Sequence, residues 1–511
     1  MPHTIPNESD SGIPAQNPDE ILLANPLWRA ADVGKPIPDS PHAASVAMPL
    51  WEHVVRYEQG DPALLEQLRC GYPRFVFNPL VNELFHVCRR RFARDGELCV
   101  AVPSRRIAER CARFLHDTQQ FPARVEEYGE NDIHVVLFPE QAFATAKQFW
   151  QHYGDIVSSR LAQDTLEKRG GSYGETEAKK TLRLRIAGLT DAGPEDVYLY
   201  ASGMAALSGS LQTVRALKPD AKTIQIGLPY VDLLRIQTKW GPRGDFYPDV
   251  TGERFDALTW QLENGPIAAV FCEHPRNPLL QSTDLQRLSA LLRKHNVPLV
   301  VDETLGSFLN LDLRPYADMI VSSLTKYFSG VGDVMAGSVV LNAQSPLFGA
   351  LKQQHDAVYE DRLWEQDAAV LERNSRDFEA RMRRMNANAE HLCDYLHTHP
   401  KIQRVYYPKY ECTNEYHAAC RPGAGYGGMF SVVLKDGETA APKFYDALRV
   451  SKGPSLGTNY TLACPYTLLA HFEELDWVES LGVSPYLVRI SVGIEEPGDL
   501  ISRFEQALGT V

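Results

Sequence analysis

The chain has 511 residues, of which 44% are hydrophobic and 23% are charged, as in ordinary globular proteins. Its formal net charge of −13 argues against a protein whose general task is to bind nucleic acid or an anionic membrane. The nine cysteines show neither Cys-x-x-Cys pairs nor Cys/His metal spacing, and their odd number favours reduced thiols. Since no long apolar window or secretory signal is found, we expect a cytoplasmic protein. The length of the chain suggests about three domains.

The first part of the chain predicts an arm followed by a small α/β domain. Residues 1–45 are rich in proline and polar residues, so we expect an extended arm that is at least partly disordered. Residues 46–152 contain strand-like and helix-like apolar patterns but no constellation of catalytic side chains, and a docking or interface role is expected. The predicted strands are 98–102 and 133–138, and the predicted helices are 104–116 and 140–151.

Arginine is concentrated in one segment of this domain, residues 89–113. Two interpretations remain for it: a solvated helix face, which we favour, and a site for a polyanion. The residues concerned are Arg89, Arg90, Arg91, Arg94, Arg105, Arg106, Arg110 and Arg113.

Residues 153–365 and 366–511 predict a large and a small α/β domain. In the large domain, short β-rich runs alternate with helical stretches, as a mostly parallel sheet requires. A long polar helical region, 362–398, leads into the small domain. Two such domains form a frame that can close over a small ligand. The predicted strands are 197–200, 223–226, 268–272, 299–301, 319–321 and 337–341, then 404–407, 429–434 and 486–492, before a final helix at 497–508.

The most informative residues stand where two predicted strands end. Asp302 ends one strand, and Ser323, Thr325 and Lys326 follow another. Pyridoxal phosphate (PLP) requires a lysine amine for its aldehyde, hydroxyl donors for its phosphate and a carboxylate opposite its ring nitrogen. Because this ordered set supplies all three, it predicts a PLP site rather than two buried strands with incidental polar ends.

Three further strand ends carry candidate cofactor contacts, each with a plainer alternative. Gly203 and Met204 stand at a strand-to-helix turn, where backbone N–H groups can bind phosphate or where small residues simply permit close packing. Tyr230 suits stacking on the pyridine ring and proton handling, although a tyrosine after proline is more often a packing residue. Asn277 suits a bond to the ring hydroxyl, but its Asn-Pro sequence is also typical of a turn.

In the small domain, Arg489 is a candidate for substrate binding. It lies on an otherwise apolar strand and shares one face of that strand with Ser491. This pattern fits either a bidentate clamp on the carboxylate of an amino-acid substrate or a surface salt bridge.

Together and in this order, these motifs resemble the Cys/Met-metabolism family of PLP-dependent enzymes, and most closely its fungal-type cystathionine γ-synthases. The resemblance covers nearly the whole chain. Residues 41–51 (PHAASVAMPLW) and 71–75 (GYPRF) resemble the N-terminal extension of that subgroup. The longest matches are 198–204 (YLYASGM), 229–233 (PYVDL), 322–330 (SSLTKYFSG), 453–462 (GPSLGTNYTL) and 487–493 (LVRISVG).

The resemblance implies a type I, aspartate-aminotransferase-like α/β fold and a role for each candidate residue. Lys326 forms the Schiff base and then shuttles protons, while Tyr230 stacks on the ring and assists proton transfer. Arg489 binds the substrate α-carboxylate, with Ser455 beside it. Family members form homodimers or homotetramers with shared active sites. The cofactor contacts so implied are Gly203, Met204, Tyr230, Asn277, Asp302, Thr304, Ser323, Thr325, Lys326 and Arg169.

Two departures from the family pattern concern the substrate. The family carries a Tyr-x-Arg motif that reaches the phosphate of the neighbouring subunit, and the corresponding region is expected at 167–175. Arg169 stands in for the arginine there, and the tyrosine is missing or displaced to Tyr173. Arg276 occupies a normally small position next to Asn277. Both departures favour a substrate other than the usual one of the family.

We therefore expect γ-replacement on an O-acylated homoserine by cysteine or another thiol, through an external aldimine and a vinylglycine-type intermediate. One alternative is a specialised γ-lyase or γ-synthase of secondary metabolism that acts on an unusual γ-substituted amino acid, halogenated or unsaturated. A minor alternative is a PLP-binding scaffold without catalysis. No nucleic-acid or membrane partner is expected, and the sequence leaves open the leaving group, the nucleophile and the choice between dimer and tetramer.

Overall fold

The computed structural model describes residues 18–511. Of the predicted N-terminal arm, residues 1–17 lie outside the described residues. The remainder contains helix α1 (Pro18–Ala24), and its apolar side chains Ile37 and Ala44 are fully buried. The described part of the arm is thus packed into the protein, because its few apolar residues find partners in distant segments that local patterning does not reveal.

A small antiparallel sheet and its helices follow the arm. The elements are α2 (Trp51–Glu58), α3 (Pro62–Leu65), α4 (Pro79–Phe92), β1 (Glu97–Val102), α5 (Arg105–Gln119), β2 (Arg124–Glu127), β3 (His134–Pro139) and α6 (Phe143–Tyr153). The strands are ordered β1-β3-β2. Helix α5 begins after Ser104, whose hydroxyl accepts a hydrogen bond from the Ile107 N–H at 3.2 Å. The predicted strands and helices of this region are confirmed, and β2 and α2 to α4 are added.

The central sheet carries the candidate catalytic residues. Its strands are β4 (Val197–Tyr200), β5 (Lys222–Ile226), β6 (Asp245–Tyr247), β7 (Ile267–Glu273), β8 (Leu299–Asp302), β9 (Met319–Ser322) and β10 (Gly337–Leu341). Their order is β4-β10-β9-β8-β7-β5-β6. The pairs from β9 to β6 are parallel, and β10 pairs antiparallel with both β9 and β4. The prediction of a mostly parallel sheet is confirmed.

Helices cover both faces of this sheet because its strands are apolar on both sides. In β4, Val197 and Leu199 join one buried cluster, whereas Tyr198 and Tyr200 join another on the opposite face. The helices of this region are α7 (Ser159–Leu166), α8 (Glu177–Thr190), α9 (Gly203–Leu217), α10 (Val231–Lys239), α11 (Gly252–Asn264), α12 (Leu285–Lys294) and α13 (Phe348–Val358).

The C-terminal part folds around a third sheet, with strand order β11-β12-β15-β14-β13. Its strands are β11 (Ile402–Tyr406), β12 (Met429–Leu434), β13 (Ser451–Lys452), β14 (Leu462–Cys464) and β15 (Val488–Ser491). The long polar helical region predicted at 362–398 is two helices, and the predicted final helix is confirmed. The helices are α14 (Glu365–Asn374), α15 (Phe378–His397), α16 (Thr413–Ala418), α17 (Gly437–Ala447), α18 (Tyr466–His471), α19 (Leu475–Ser480) and α20 (Pro497–Leu508).

The carboxyl ends of β7, β8 and β9 lie side by side at one edge of the central sheet. Glu273 at the end of β7 pairs in register with Asp302 at the end of β8, and Asp302 pairs with Val321 of β9. Ligands of open parallel sheets bind outside such strand ends. Across residues 18–511, no helix is long and apolar enough to cross a membrane. No group of histidine, cysteine and acidic side chains in the described chain could hold a metal ion.

Candidate active site

A cavity of about 480 Å³ opens at the carboxyl ends of the central strands. The small C-terminal domain and a segment that precedes α4 supply its other walls. Most of the residues predicted from the sequence meet there. Those that line it are Gly203, Met204, Tyr230, Asn277, Asp302, Thr304, Ser323, Lys326 and Arg489.

Lys326 presents its amine to this cavity. Its Nζ donates a hydrogen bond to the Ser455 hydroxyl at 3.1 Å and lies 4.4 Å from the ring centre of Tyr72. Burial lowers the pKa of Lys326, and the nearby Arg489 and Arg74 cations lower it further, against the opposing effect of Tyr72. A larger share of neutral amine follows, which is the form that attacks an aldehyde or accepts a proton.

A short hydrogen-bonded chain joins the ends of β8 and β9. The Asp302 carboxylate accepts bonds from the Thr304 N–H (2.9 Å) and hydroxyl (2.6 Å). The Thr304 hydroxyl in turn accepts from the Ser323 N–H at 2.8 Å. Burial raises the pKa of Asp302, and the Thr304 bonds oppose that rise. Such a half-buried carboxylate with a raised pKa gains most from a cationic partner, and a protonated ring nitrogen would be one.

The first turn of α9 offers backbone N–H groups beside Ser323. Ser202 caps the helix by accepting a bond from the Ala205 N–H at 3.0 Å. A Cβ atom added at Gly203 would lie 2.7 Å from the Ser323 Cβ, so only glycine permits this close approach. The helix N-terminus, the two free amides of Gly203 and Met204 and the Ser323 hydroxyl suit a phosphate group.

One predicted phosphate contact is placed elsewhere by the structure. The Thr325 hydroxyl donates to the Ala336 carbonyl (3.2 Å) and accepts from the Ala336 N–H (3.0 Å). It is buried and does not line the cavity. In this structure Thr325 holds the Lys326 loop against the strand β10 that follows Ala336, so a direct phosphate contact stays a prediction.

Arg489 is a buried cation without a carboxylate partner in residues 18–511. Its guanidinium donates to the Pro454 carbonyl at 2.9 Å and to the Asn277 side-chain oxygen at 3.4 Å. It also lies 4.7 Å from the ring centre of Tyr466, whose hydroxyl accepts from the Asn277 amide at 2.8 Å. A buried guanidinium bonded only to neutral groups is suited to an incoming carboxylate.

Two residues that sequence reasoning missed complete the cavity, Tyr72 and Arg74. Arg74 is 2% exposed and donates to the Asp232 carboxylate at 2.6 Å and to the Tyr230 hydroxyl. Together with Pro73 these residues spell Tyr-Pro-Arg, so the Tyr-x-Arg motif is present in the chain. This spacing is visible in the sequence, where 71–75 otherwise resembles the N-terminal extension of the subgroup.

The expectation of that motif at 167–175 is therefore corrected. Arg169 pairs with the Asp164 carboxylate at 2.9 Å and with Glu167. The Tyr173 ring packs against Trp364, with ring centres 5.2 Å apart. Neither Arg169 nor Tyr173 lines the cavity of its own chain, and the cofactor contact predicted for Arg169 stays a prediction.

The two phenols of the cavity differ in acidity. Burial opposes ionisation of Tyr72, but Lys326 in its protonated form and the Arg74 cation outweigh it and lower the pKa of Tyr72. Burial raises the pKa of Tyr230 well above its ordinary value, although Arg74 opposes the rise. Tyr72 is therefore the better proton donor of the pair, and it is the phenol beside Lys326.

A buried ion cluster holds Arg74 in place. Asp232 is fully buried and accepts bonds from Arg74, from His152 Nδ1 (2.8 Å) and from the Gln151 amide (3.1 Å). Burial opposes ionisation of Asp232, but Arg74 and His152 outweigh it and lower its pKa. Helices α6 and α10 are thus tied together behind Tyr230.

Glu273 is a further residue that the sequence did not single out. One of its carboxyl oxygens accepts from the Tyr230 N–H at 2.5 Å, and the other accepts from the Asn277 N–H at 3.1 Å. Burial raises the pKa of Glu273, and the neighbouring Asp302 raises it further. Glu273 thus fixes the two loops that present Tyr230 and Asn277.

We predict that Glu273 makes the unfolding free energy of the cofactor-free protein depend on pH. The folded state retains a proton on Glu273 that the unfolded chain releases near the ordinary carboxyl pKa of about 4.3. Stability should therefore fall as pH rises from that value through the raised pKa of Glu273. Urea unfolding at several pH values should show a flatter slope in Glu273→Gln. The exposed Glu263→Gln serves as control, and an unchanged slope in Glu273→Gln would contradict the assignment.

The suggestion that Arg276 alters the substrate site is also corrected. Its guanidinium donates to the Pro248 carbonyl and to the Gln281 side chain, both at 2.7 Å. It packs over Gly227 and does not line the cavity, although Asn277 next to it does. Arg276 ties loops together behind the site and gives no ground for an unusual substrate.

Comparison with known proteins places this geometry in a family. A model described as "Cys/Met metabolism PLP-dependent enzyme" matches residues 155–509. A second, described as "Fungal trans-sulfuration enzyme, N-terminal domain", matches residues 80–158. The solved cystathionine gamma synthase from Xanthomonas oryzae pv. oryzae, in complex with aminoacrylate and cysteine, is 25% identical with a TM-score of 0.57. That likeness covers 66% of this chain and 86% of that chain.

Relatives in sequence extend over nearly the full length of the chain. The cystathionine gamma-synthase-like enzyme iboG2 of Amanita muscaria is 35% identical, over 96% of this chain and 98% of its own length. The cystathionine gamma-synthase of Neurospora crassa is 34% identical, over 93% and 98%. The L-2-amino-4-chloropent-4-enoate dechlorinase/desaturase of Streptantibioticus cattleyicolor is 30% identical, over 93% and 97%.

The predicted α/β fold of type I and the predicted cofactor are thereby confirmed, since the family model describes PLP-dependent enzymes and the solved cystathionine gamma synthase shares the fold. The close approach of Gly203 to Ser323, the half-buried Asp302 carboxylate and the lowered pKa of the Lys326 amine fit that cofactor. The chain belongs to the Cys/Met-metabolism family of PLP-dependent enzymes.

Proposed function

We propose that this protein catalyses γ-replacement on an O-acylated homoserine, with cysteine or another thiol as the incoming group. The observation that carries the proposal is that Lys326 and Arg489 line the same cavity. Arg489 binds the α-carboxylate of an amino acid and so brings its α-carbon to the Lys326 amine. Full-length similarity to cystathionine γ-synthases supports the choice of reaction.

Different residues of the cavity are assigned to different parts of the cofactor. The Gly203 and Met204 amides and the Ser323 hydroxyl would bind its phosphate, and Asp302 would hold a proton on its ring nitrogen. Tyr230 would hold the flat ring from one side, and Glu273 fixes the position of the Tyr230 backbone. When bound, PLP supplies an electron sink for the charge that develops next to the substrate amino group.

Lys326 and Tyr72 carry out the proton transfers of the proposed reaction. Lys326 removes the proton from the α-carbon, because its lowered pKa favours the neutral amine, and must pass that proton on before it removes one from the β-carbon. Both carbons take up a proton again after the sulfur has bound. Ser455 accepts a bond from Nζ and orients it. Tyr72 is the more acidic phenol and lies beside Lys326 Nζ. The Tyr72 hydroxyl can therefore donate a proton back to the substrate. At the γ-carbon the bond to the acyl oxygen breaks and a bond to sulfur forms, while the thiol loses its proton.

The thiol substrate meets two unpaired charges in the same cavity, Glu58 and Lys147. Neither forms an ion pair or side-chain hydrogen bond within the part of the chain that the structure describes. One carboxylate and one ammonium group suit the amine and the carboxylate of a second amino acid. We therefore favour cysteine over a simple alkyl thiol.

A Glu58→Gln variant should raise the KM for cysteine by about tenfold or more, since a charge-assisted bond is worth roughly 1.5–3 kcal/mol. The KM for 3-mercaptopropionate, which lacks the amine, should change little. Burial and repulsion by Glu473 raise the pKa of Glu58 to about 7. Glu58 is thus ionised mainly above that pH, and the KM for cysteine should fall as pH rises through about 7 in the wild type only. Steady-state kinetics with the exposed Glu52→Gln as control would check this, and equal effects on both thiols would refute it.

A mass-spectrometric product screen on the PLP-loaded protein tests the proposed reaction. O-acetylhomoserine, O-succinylhomoserine and cystathionine are each offered with and without cysteine. Cystathionine formed only when both a homoserine ester and cysteine are present supports γ-replacement and identifies the acyl group. Release of an oxo acid without cysteine would indicate γ-elimination instead.

A second candidate is a γ-lyase or γ-synthase for a halogenated or unsaturated amino acid. The similarity to the dechlorinase/desaturase of Streptantibioticus cattleyicolor favours it. Turnover of γ-chlorinated amino acids with inert homoserine esters would select this candidate. The third interpretation, a silent scaffold, conflicts with the activity that the family relationship implies.

We further propose a cytoplasmic homodimer or homotetramer, on the family resemblance. The cavity described above already contains Tyr72 and Arg74 of its own chain, which differs from the sharing of this motif between subunits expected from the sequence. Light scattering on the purified holoenzyme would give the number of chains.

A further inference from the structure

A second cavity, of about 450 Å³, lies between the N-terminal α/β region and the central domain. Helices α5 and α6 form one side of it, and α9 and α10 form the other. None of the residues assigned above to PLP or substrate binding lines it. Its volume lies within the range usual for small-molecule sites.

This cavity is positively charged in a chain whose net charge is −13. Its lining cations are Arg110, Arg113, Arg215 and Lys239, and Asp117 is the one carboxylate that lines it among the described residues. A second carboxylate, Asp155, pairs with Arg110 at 3.1 Å. Cations therefore outnumber carboxylates, which concentrates positive potential inside a concave, partly desolvated space.

Arg215 is the least compensated of these cations. Its guanidinium makes one long hydrogen bond, to the Pro242 carbonyl at 3.4 Å, and no ion pair within residues 18–511. Its Nε–H has no hydrogen-bond partner there. Burial without a neighbouring carboxylate lowers the pKa of Arg215 to about 10. A half-buried guanidinium without an ion pair and with an unbonded N–H is stabilised when an anionic ligand binds to it.

Aromatic rings form the rest of the wall. Arg110 lies over Tyr153, 4.6 Å from its ring centre, and Trp240 packs on Phe114 with ring centres 4.7 Å apart. The Trp240 indole N–H is buried and has no partner within the described chain. Rings next to cations are suited to a ligand that carries a flat apolar body beside its charge.

We propose that this cavity is a second binding site of the protein, for a small organic anion that joins a phosphate or carboxylate group to a flat ring. The arginine-rich segment 89–113 thereby acquires a partial explanation, because Arg110 and Arg113 from that segment line the site. A long polyanion is not the expected ligand, since the charges converge on one concave pocket and do not form an extended surface track.

The two cavities share their walls. Helix α6 lines the active site with Gln151 and the second cavity with Gln148. Helix α9 does the same with Gly203 and Arg215. Helix α10 likewise presents Asp232 to the first cavity and Lys239 to the second. An anion held in the second cavity therefore contacts the elements that carry the phosphate cradle and the Arg74–Asp232 pair, without entering the active site.

Phenyl phosphate is the probe for this proposal, titrated calorimetrically into the PLP-loaded enzyme so that the cofactor's own phosphate site is filled. Benzoate, inorganic phosphate and benzyl alcohol are compared with it, to separate phosphate from carboxylate and charge from ring. We expect saturable binding of phenyl phosphate or benzoate at one site per chain, weaker binding of inorganic phosphate and none of benzyl alcohol. Binding should persist in the presence of saturating amino-acid substrate.

Arg215→Met should weaken the binding at least tenfold, and Lys239→Gln should weaken it in the same direction. Arg94→Gln removes an exposed arginine that lines neither cavity and should leave binding unchanged. Lys239 is exposed, so Lys239→Gln reports on the site even where Arg215→Met unfolds. Absence of saturable binding, equal weakening by Arg94→Gln, or displacement by the amino-acid substrate would each overturn the proposal.

Discussion

A Lys326→Ala variant is expected to lose about 10³-fold or more in kcat/KM and to lose the yellow colour of the lysine-bound cofactor. Lys326 has two tasks in the proposed reaction, attack on the cofactor aldehyde and proton transfer at two carbons. Within residues 18–511, no other lysine amine is hydrogen-bonded to Ser455 or lies over the Tyr72 ring. Visible absorption and steady-state kinetics measure the two losses separately.

The control for this prediction is Lys294→Ala, which removes an exposed lysine at the end of α12. A small primary amine added to Lys326→Ala should restore part of the activity, because a diffusible base can take the place of the side chain. A variant that stayed yellow and active would show that Lys326 is not the reacting amine. A wild-type protein that binds PLP without turning over any amino acid would revive the scaffold interpretation.

An Arg74→Met variant is expected to lose roughly 3–5 kcal/mol of unfolding free energy, the usual cost of breaking a buried ion pair from one side. Asp232 is fully buried and would keep only His152 and Gln151 as polar partners. The Tyr230 hydroxyl and the Tyr72 phenol would lose the cation that holds and acidifies them. Activity should therefore fall together with stability, and urea unfolding and kcat are the two measurements.

The double variant Arg74→Met with Asp232→Asn separates these two effects. Neutralising Asp232 removes the uncompensated buried charge and should recover much of the stability. Activity should not recover, because Tyr72 and Tyr230 still lack the guanidinium. If the double variant were as unstable as the single one, the ion pair would not be the source of the loss.

Most strands of the central sheet could be predicted closely because they are short, mainly apolar runs followed by polar residues. Strand β4 and strand β10 begin and end where the sequence pattern places them. Strand β6, of three half-buried residues at the sheet edge, carries too little apolar pattern to be found. The polar region 362–398 reads as one helix in sequence, but Ser375–Asp377 separates α14 from α15.

The active-site residues at strand ends were predictable for the same reason, since parallel strands deliver their carboxyl ends to one edge. The Tyr-x-Arg spacing of Tyr72 and Arg74 is visible in the sequence, but that motif is expected instead at 167–175. The place of 72–74 in the cavity depends on the buried Arg74–Asp232 ion pair, which joins segments far apart in sequence. Arg276 was misread because its neighbour Asn277 lines the cavity while its own side chain turns back to Pro248. Thr325 alternates with Lys326 along the loop and so points to Ala336 instead.

The presence of Tyr72, Arg74 and Lys326 in one chain has a consequence for inheritance. Consider a cell with two gene copies, one with Lys326 substituted and one with Arg74 substituted. Every active-site cavity in that cell would lack one of the two side chains. Mixing the two polypeptides in one assembly would create no intact centre. Alleles with substitutions at Lys326 and at Arg74 should therefore fail to complement one another, although the two positions are far apart in sequence.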